Sequence, residues 1–236
     1  MQRLLDVFFS GAALLVLLPL LLPVAVILRF TGEGEIFFRQ NRVGKDGNRF
    51  SLLKFATMLK ESPNLGTGTV TVKDDPRILP FGRHLRKTKI NELPQLLNIL
   101  KGDMSVVGPR PQTERCFTAF PKDAQQEIIK VRPGLSAVSS IVFRNEENLL
   151  HDAEDQVAFY DQVIAPYKGE LEKWYIQNSG LKTYFLVIFT TAWVVLFHES
   201  RIVWKVFRSL PPPPDQLAHG LNRQLEHRPV RKRQQG

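Results

Sequence analysis

The chain is poor in cysteine, with Cys116 the single one among 236 residues. One thiol excludes an internal disulfide and suits a reducing compartment, and its ordinary role is that of a small, half-buried apolar side chain. Common catalytic signatures are missing too. There is no Walker A loop, no G-x-S-x-G elbow and no C-x-x-C pair, and "GTG" at Gly66–Gly68 is too short for a dinucleotide loop. The histidines (His84, His151, His198, His219 and His227) show no ligand spacing, which argues against a zinc site. No internal repeat appears.

Positive charge is in excess. A formal charge of +9 points to anionic partners: nucleic acid, phospholipid head groups or phosphorylated substrates. The first long segment narrows that choice. "VFFSGAALLVLLPLLLPVAVIL", Val7 to Leu28, carries no charge, and about 20 apolar residues cross a bilayer core. It is too long for a signal-peptide core, and no small-x-small cleavage pattern follows it. Pro19 and Pro23 each remove a helix donor. Val7 to Pro19 spans roughly 18 Å of helix, about half a bilayer. A re-entrant helix broken at Pro19 and a kinked spanning helix both satisfy this spacing. Arg3 and Arg29 suit the cytoplasmic side in either case.

Beyond the anchor, Glu35 to Phe55 reads as two short strands around a Gly-containing turn, and "ESPNLGTGTVTVKDDPRI" as a surface loop. Thr88 is expected to cap a helix whose first turns hold Asn91 and Glu92, with Pro94 also in the first turn and Gly102 as the stop. Leu93, Leu96, Leu97 and Leu100 mark its apolar face. Further helices are expected over Asp123–Lys130 and Ala153–Lys173, the latter interrupted at Pro166. Thr183–Phe197 is short for a crossing and suits a buried or interface-lying helix. "RIVWKVF" reads as surface-lying. Pro211–Pro214 is a stiff spacer, and the basic tail after it has the composition of disorder.

The chemistry concentrates around "KTKINELPQLLNILKGDMSVVGPRP". Arg83, Arg86, Lys87 and Lys89 precede Asn91-Glu92, and Arg110 follows between two prolines. Arginine forks match phosphate oxygens, and a neighbouring carboxylate can hold a divalent metal. On spacing alone, a basic face against anionic lipid, with Glu92 complementing a helix dipole, accounts for the same residues.

From Arg3 to Phe197 the sequence resembles the bacterial sugar transferases, the monotopic phosphoglycosyl transferases. The matching stretches are "RLLDVFF", the proline-containing apolar run, "FFRQNRVGKDGNRFSLLKFATM", "DDPRILPFGRHLRKTKINELPQLLNILKGDMSVVGPRP" and "VRPGLSAVSSIVFRNEENLL". The resemblance implies a mainly helical α+β fold: a re-entrant membrane helix over residues 1–30, a catalytic domain over 31–207, and a spacer and tail over 208–236. It implies transfer of a phosphosugar from a nucleotide diphosphate sugar, usually a UDP-sugar, to polyprenyl phosphate at the cytoplasmic face of the bacterial inner membrane. Mg2+ is the implied cofactor. Glu92 and Asn91 stand at the family's catalytic positions, with Glu92 also the magnesium ligand. Arg110, Arg83, Arg86 and Lys54 stand at substrate-phosphate positions. Nucleic acid is not an expected partner, because interleaved aromatics for base stacking are missing; a homo-oligomer is compatible with the sequence.

Three positions depart from the family pattern. Asn91 occupies the place of the nucleophilic Asp, and a neutral amide is a poor nucleophile. Ala56 replaces an arginine in "KFATM", and Leu18 replaces the serine ahead of the kink proline. Three readings of Asn91 remain open: direct transfer to the lipid phosphate, substitution by another carboxylate such as Asp103, or a silent protein that binds lipid-linked intermediates.

Overall fold

A computed structural model describes residues 2–68, 70–151, 153–197 and 200–221. Helix α1 (Gln2–Arg29) is continuous through both prolines, so the expected break at Pro19 is not found. Each proline still leaves one carbonyl, of Leu15 and of Pro19, without its helical donor. One stripe of α1 packs on the domain at spacings of three and four: Asp6, Ser10, Ala13, Leu17, Leu21, Val24 and Leu28. The opposite stripe exposes Leu4, Leu15 and Val16, each about three-quarters accessible at 76%, 76% and 77%.

Polar ties fix the start of α1. Buried Asp6 accepts bonds from Ser105 Oγ (2.8 Å), the Val106 N–H (3.0 Å) and the Tyr184 hydroxyl (3.0 Å). Arg3 donates to the carbonyls of Ile99 and Leu100, satisfying the end of the third helix.

Strands β1 (Phe37–Val43) and β2 (Arg49–Phe55) form the expected antiparallel hairpin, with Phe37 opposite Phe55 and Val43 opposite Arg49. A loop with one short 3-10 turn follows, then α2 (Pro80–Lys87) and α3 (Gln95–Lys101), which Gly102 ends in a left-handed conformation, as the sequence suggests. β3 (Ser105–Val107) pairs in parallel with β4 (Gly134–Ser136) across α4 (Glu114–Thr118) and α5 (Lys122–Ile128). The Gly134 and Gly108 backbones approach so closely that a Cβ on Gly134 would lie 2.0 Å from the Gly108 nitrogen. That contact sets where the chain leaves β3, two residues before Arg110.

The remaining elements are α6 (Val138–Val142), α7 (Glu146–His151), α8 (Gln156–Phe159), α9 (Ala165–Gln177), α10 (Leu181–Leu196), α11 (Ile202–Val206) and α12 (Asp215–Leu221). A π-type turn, Tyr160–Ile164, joins α8 to α9, and Pro166 is tolerated in the first turn of α9. Ile164, Leu171, Val138, Val187, Leu150 and Leu217 centre the main core. α10 buries Tyr184, Val187, Thr190 and Val194 and exposes Phe185, Phe189 and Leu196. Its exposed face meets that of α1 where the Phe9 and Phe185 rings pack edge-on at 6.3 Å.

Three expectations change here. α11 does not lie free on the surface, because Val203 and Phe207 enter the core. Leu210 and Leu217 also enter it, and the Tyr167 hydroxyl donates to Pro211 O at 2.8 Å, so the proline run closes on the domain. The expected disordered tail is helical over Asp215–Leu221, and its remainder from residue 222 lies outside the described residues.

Candidate active site

Thr88 does not open a helix. It closes α2, its hydroxyl donating to His84 O at 2.9 Å. Lys89 then takes a left-handed conformation (φ 61°) that turns the chain, and Ile90–Glu92 form one 3-10 turn. Pro94 has no N–H to give, so the next helical ladder begins at Gln95, and Pro94 stands as its cap. Asn91 and Glu92 are thus held in a tight turn between two helices, and Asn91 is buried.

Three elements converge on Glu92. Arg110, from the segment after β3, grips it through both guanidinium nitrogens: Nη1 lies 2.9 Å from Oε2, and Nη2 donates to Oε1. Lys54, from β2, places Nζ 3.2 Å from Oε1. Burial alone would push the Glu92 carboxyl up, but Arg110, Lys54 and Lys89 outweigh it and hold it well below the usual carboxylate range. The cations show the converse. Burial, with Arg110 and Arg42 nearby, brings Lys54 down to about 7 despite the opposing pull of Glu92. Burial and Arg110 bring Arg42 to about 10, and Lys89 is lowered, chiefly by burial.

These residues wall a cleft of about 450 Å³. Nine cationic side chains line it (Arg42, Lys54, Arg83, Arg86, Lys87, Lys89, Arg110, Arg144 and Lys168) against three carboxylates, Glu92, Glu146 and Glu147. An excess of six positive charges in a recessed site needs an anion, and phosphate groups meet that need. Arg86 is tied to Glu147 at 3.1 Å, and Lys168 to Glu146. Arg83 lines the outer cleft, two-thirds exposed at 66% and 4.0 Å from Asp74. Asn91 also lines the cleft, and its Oδ1 is buried without a partner.

Asp103 does not come to the cleft. It accepts from Asn98 Nδ2 at 3.3 Å and pairs with Lys101 at 3.4 Å. Ala56, just past the end of β2, is buried and leaves the cleft wall to Lys54 of that strand.

A second cavity of about 330 Å³ adjoins the cleft. Its walls are largely apolar: Ile90, Leu93, Leu135, Ile141, Phe143, and Val194 and Val195 of α10. Lys89, Glu92, Arg110, Arg144, Glu146 and Lys168 border both cavities. The Glu92–Arg110 pair is their common wall.

Sequence reasoning left out Arg42, Arg144, Lys168 and Glu172. Arg42 and Arg144 lie inside the quoted family stretches, but in polar surroundings ("RQNRVGK" and "FRNEEN") that do not set them apart from solvated cations. Lys168 and Glu172 are a charged i,i+4 pair on a helix that turns out to be buried.

Bordered by an apolar groove and an apolar helix, this cationic cleft around one ionised carboxylate has the charge to take phosphate groups. The profile of the family described as "Bacterial sugar transferase" matches residues 1–198. The chain belongs to that family and is a phosphoglycosyl transferase. It is 32% identical over 204 residues to the exopolysaccharide production protein ExoY of Rhizobium meliloti (strain 1021), covering 80% of this chain and 83% of that one. Against the UDP-glucose:undecaprenyl-phosphate glucose-1-phosphate transferase of Escherichia coli (strain K12), identity is 31% over 192 residues, 80% of this chain and 39% of the longer relative. A Bacillus subtilis (strain 168) protein named as a putative undecaprenyl-phosphate N-acetylgalactosaminyl 1-phosphate transferase is 35% identical over 153 residues, 65% of this chain and 79% of that one.

Proposed function

We propose that this protein transfers a sugar phosphate from a nucleotide diphosphate sugar, of the UDP type, to a polyprenyl phosphate at the cytoplasmic face of the bacterial inner membrane, and so starts a glycan. The observation that carries this reading is the Glu92–Arg110 pair standing between a cationic cleft and an apolar groove. A nucleotide diphosphate matches the cleft in charge. A phosphate on an isoprenoid chain matches the groove, with Lys89, Arg110 and Arg144 at its polar end. Both reactants then bring phosphate to one place, and the apolar side excludes the water that would divert transfer to hydrolysis.

The membrane part of the proposal rests on α1, the one helix among the described residues long and apolar enough to cross a bilayer. At 28 residues it is about 42 Å long. Arg3 and Leu28, near its two ends, both touch the same domain. A helix standing across the bilayer would carry one end away from that domain, so we read α1 as keeping both ends at one membrane face, with the exposed faces of α1 and α10 in lipid. Cysteines placed at Gln2 and Thr31 are expected to label from one membrane face only.

For chemistry, the cleft offers direct transfer. Its carboxylates besides Glu92 are committed to Arg86 and Lys168, and position 91 is an amide. An oxygen of the lipid phosphate bonds to the sugar-bearing phosphorus. The bond from that phosphorus to the bridging oxygen breaks, and the electron pair leaves with a nucleoside monophosphate. Arg110, held by Glu92, orients the phosphates, and Lys54 and Lys89 offset the charge that develops. Among the described residues no three His, Cys, Asp or Glu side chains form a metal cluster. Ionised Glu92 and the unpartnered Asn91 Oδ1 give two oxygen donors, which fits Mg2+, an ion that completes its shell with water and substrate phosphate. When bound, it would neutralise diphosphate charge.

The test is nucleoside monophosphate release by the purified chain with polyprenyl phosphate, Mg2+ and a panel of nucleotide sugars. Release with at least one sugar is expected. No release with any of them, together with activity in Asn91→Asp, would instead mark a silent protein that holds lipid-linked intermediates.

A further inference from the structure

Glu172 lies on α9, beneath the site and 1% accessible. Its Oε1 accepts the Arg110 backbone N–H at 2.9 Å and the Ser139 hydroxyl from α6. Its Oε2 is buried with no partner. A carboxylate with one saturated and one empty oxygen is poorly satisfied as an anion and well suited to take a proton on the empty one. The charged and titratable groups that bear on it are Arg110 from the segment after β3, Lys168 one turn earlier on α9, itself paired with Glu146 of α7, and Tyr175 of α9.

Resting on the function proposed above, we propose that Glu172 is the positioning residue of this site: it holds Arg110 by the backbone, and its proton sets how strongly the cleft binds a diphosphate. With the proton on, the hydrogen bond to the Arg110 N–H survives, because the carbonyl oxygen still accepts, and the cleft keeps its full positive charge. With the proton off, a negative charge stands behind Arg110 and offsets it. Burial raises this carboxyl to about 7, against the opposing hydrogen bonds from the Arg110 N–H and Ser139. The change therefore falls near neutral pH, with the uncharged form below it and tighter diphosphate binding on that side.

The experiment measures UDP affinity of the full chain in detergent by calorimetry from pH 6 to 8, for the native protein, Glu172→Gln and Ser139→Ala. Glutamine keeps an acceptor for Arg110 and cannot ionise. Native affinity is expected to weaken with rising pH about tenfold more than that of Glu172→Gln, the effect of one charge at roughly 10 Å and an effective dielectric constant of 20. Using one ligand throughout cancels the titration of UDP itself, and Lys54 titrates alike in both proteins. Ser139→Ala removes a donor to the carboxylate, so its inflection should move to higher pH, a shift that a purely structural Glu172 would not give. Equal pH profiles in native and Glu172→Gln protein, or an unmoved inflection in Ser139→Ala, would overturn the proposal while leaving the cleft reading intact. Failure of UDP to bind at any pH would overturn both.

Discussion

Two arginines in this molecule each hold a carboxylate, and they do opposite things. Arg77 grips Asp75 through Nε and Nη2, then gives its other donors to the carbonyls of Ser62, Leu65, Gly68 and Val70 and to the Thr67 hydroxyl. Every arm is consumed, and the effect is to wind the loop from Ser62 to Val70 around one buried cation. Arg110 gives its fork to Glu92, adds one long bond to Leu135 O at 3.4 Å, and otherwise faces a cleft full of like charge. A saturated buried arginine is structural. One crowded by cations that are themselves pushed down is held ready for an anion that comes from outside.

The contrast can be broken by mutation. Arg110→Ala is expected to lower turnover about 10³-fold, as does loss of a donor that serves developing charge, while the melting temperature falls less than in Arg77→Ala because Lys54 still pairs with Glu92. Glu92→Gln should act alike. Arg77→Ala reverses the pattern. It leaves Asp75 buried without its partner, at a cost of about 3 kcal/mol, read as a fall in Tm of roughly 10 °C. Arg110→Lys sharpens the distinction, since it keeps the charge and loses the bidentate fork: a loss of about 10- to 100-fold in kcat/KM is expected. The smallest change belongs to Arg83→Ala. That side chain is exposed and its partner Asp74 is 4.0 Å away, so less than a threefold change in KM is expected, fading at high salt.

What could be read from the sequence was local. The hairpin follows from alternation and a Gly-containing turn, the end of α3 from Gly102, and α10 from an apolar run too short to cross. The charge of the cleft was legible because Arg83, Arg86, Lys87, Lys89 and Arg110 crowd one stretch. What was hidden depends on contacts between distant residues. Arg110 meets Glu172 across 62 positions, and Asp6 meets Tyr184 across 178. No spacing rule reaches that far. Lys168 and Glu172 resemble a solvated helical pair until α9 is buried by its neighbours. Thr88 misled because a threonine after a basic helix can close it as readily as open the next, and Lys89 in the left-handed region decided the matter. Pro19 misled because α1 continues as a helix through two missing donors, with one stripe packed along the domain.

The departure at Asn91 turns the comparison of the two arginines into a question of mechanism, since Arg110 and Glu92 remain in place while the carboxylate nucleophile does not. The most direct measurement is rapid-quench counting of nucleoside monophosphate released by stoichiometric enzyme, with and without polyprenyl phosphate. Direct transfer predicts no release until the lipid is added, then release matched by lipid-linked product. A burst of one nucleoside monophosphate per protein chain in the absence of lipid would contradict it.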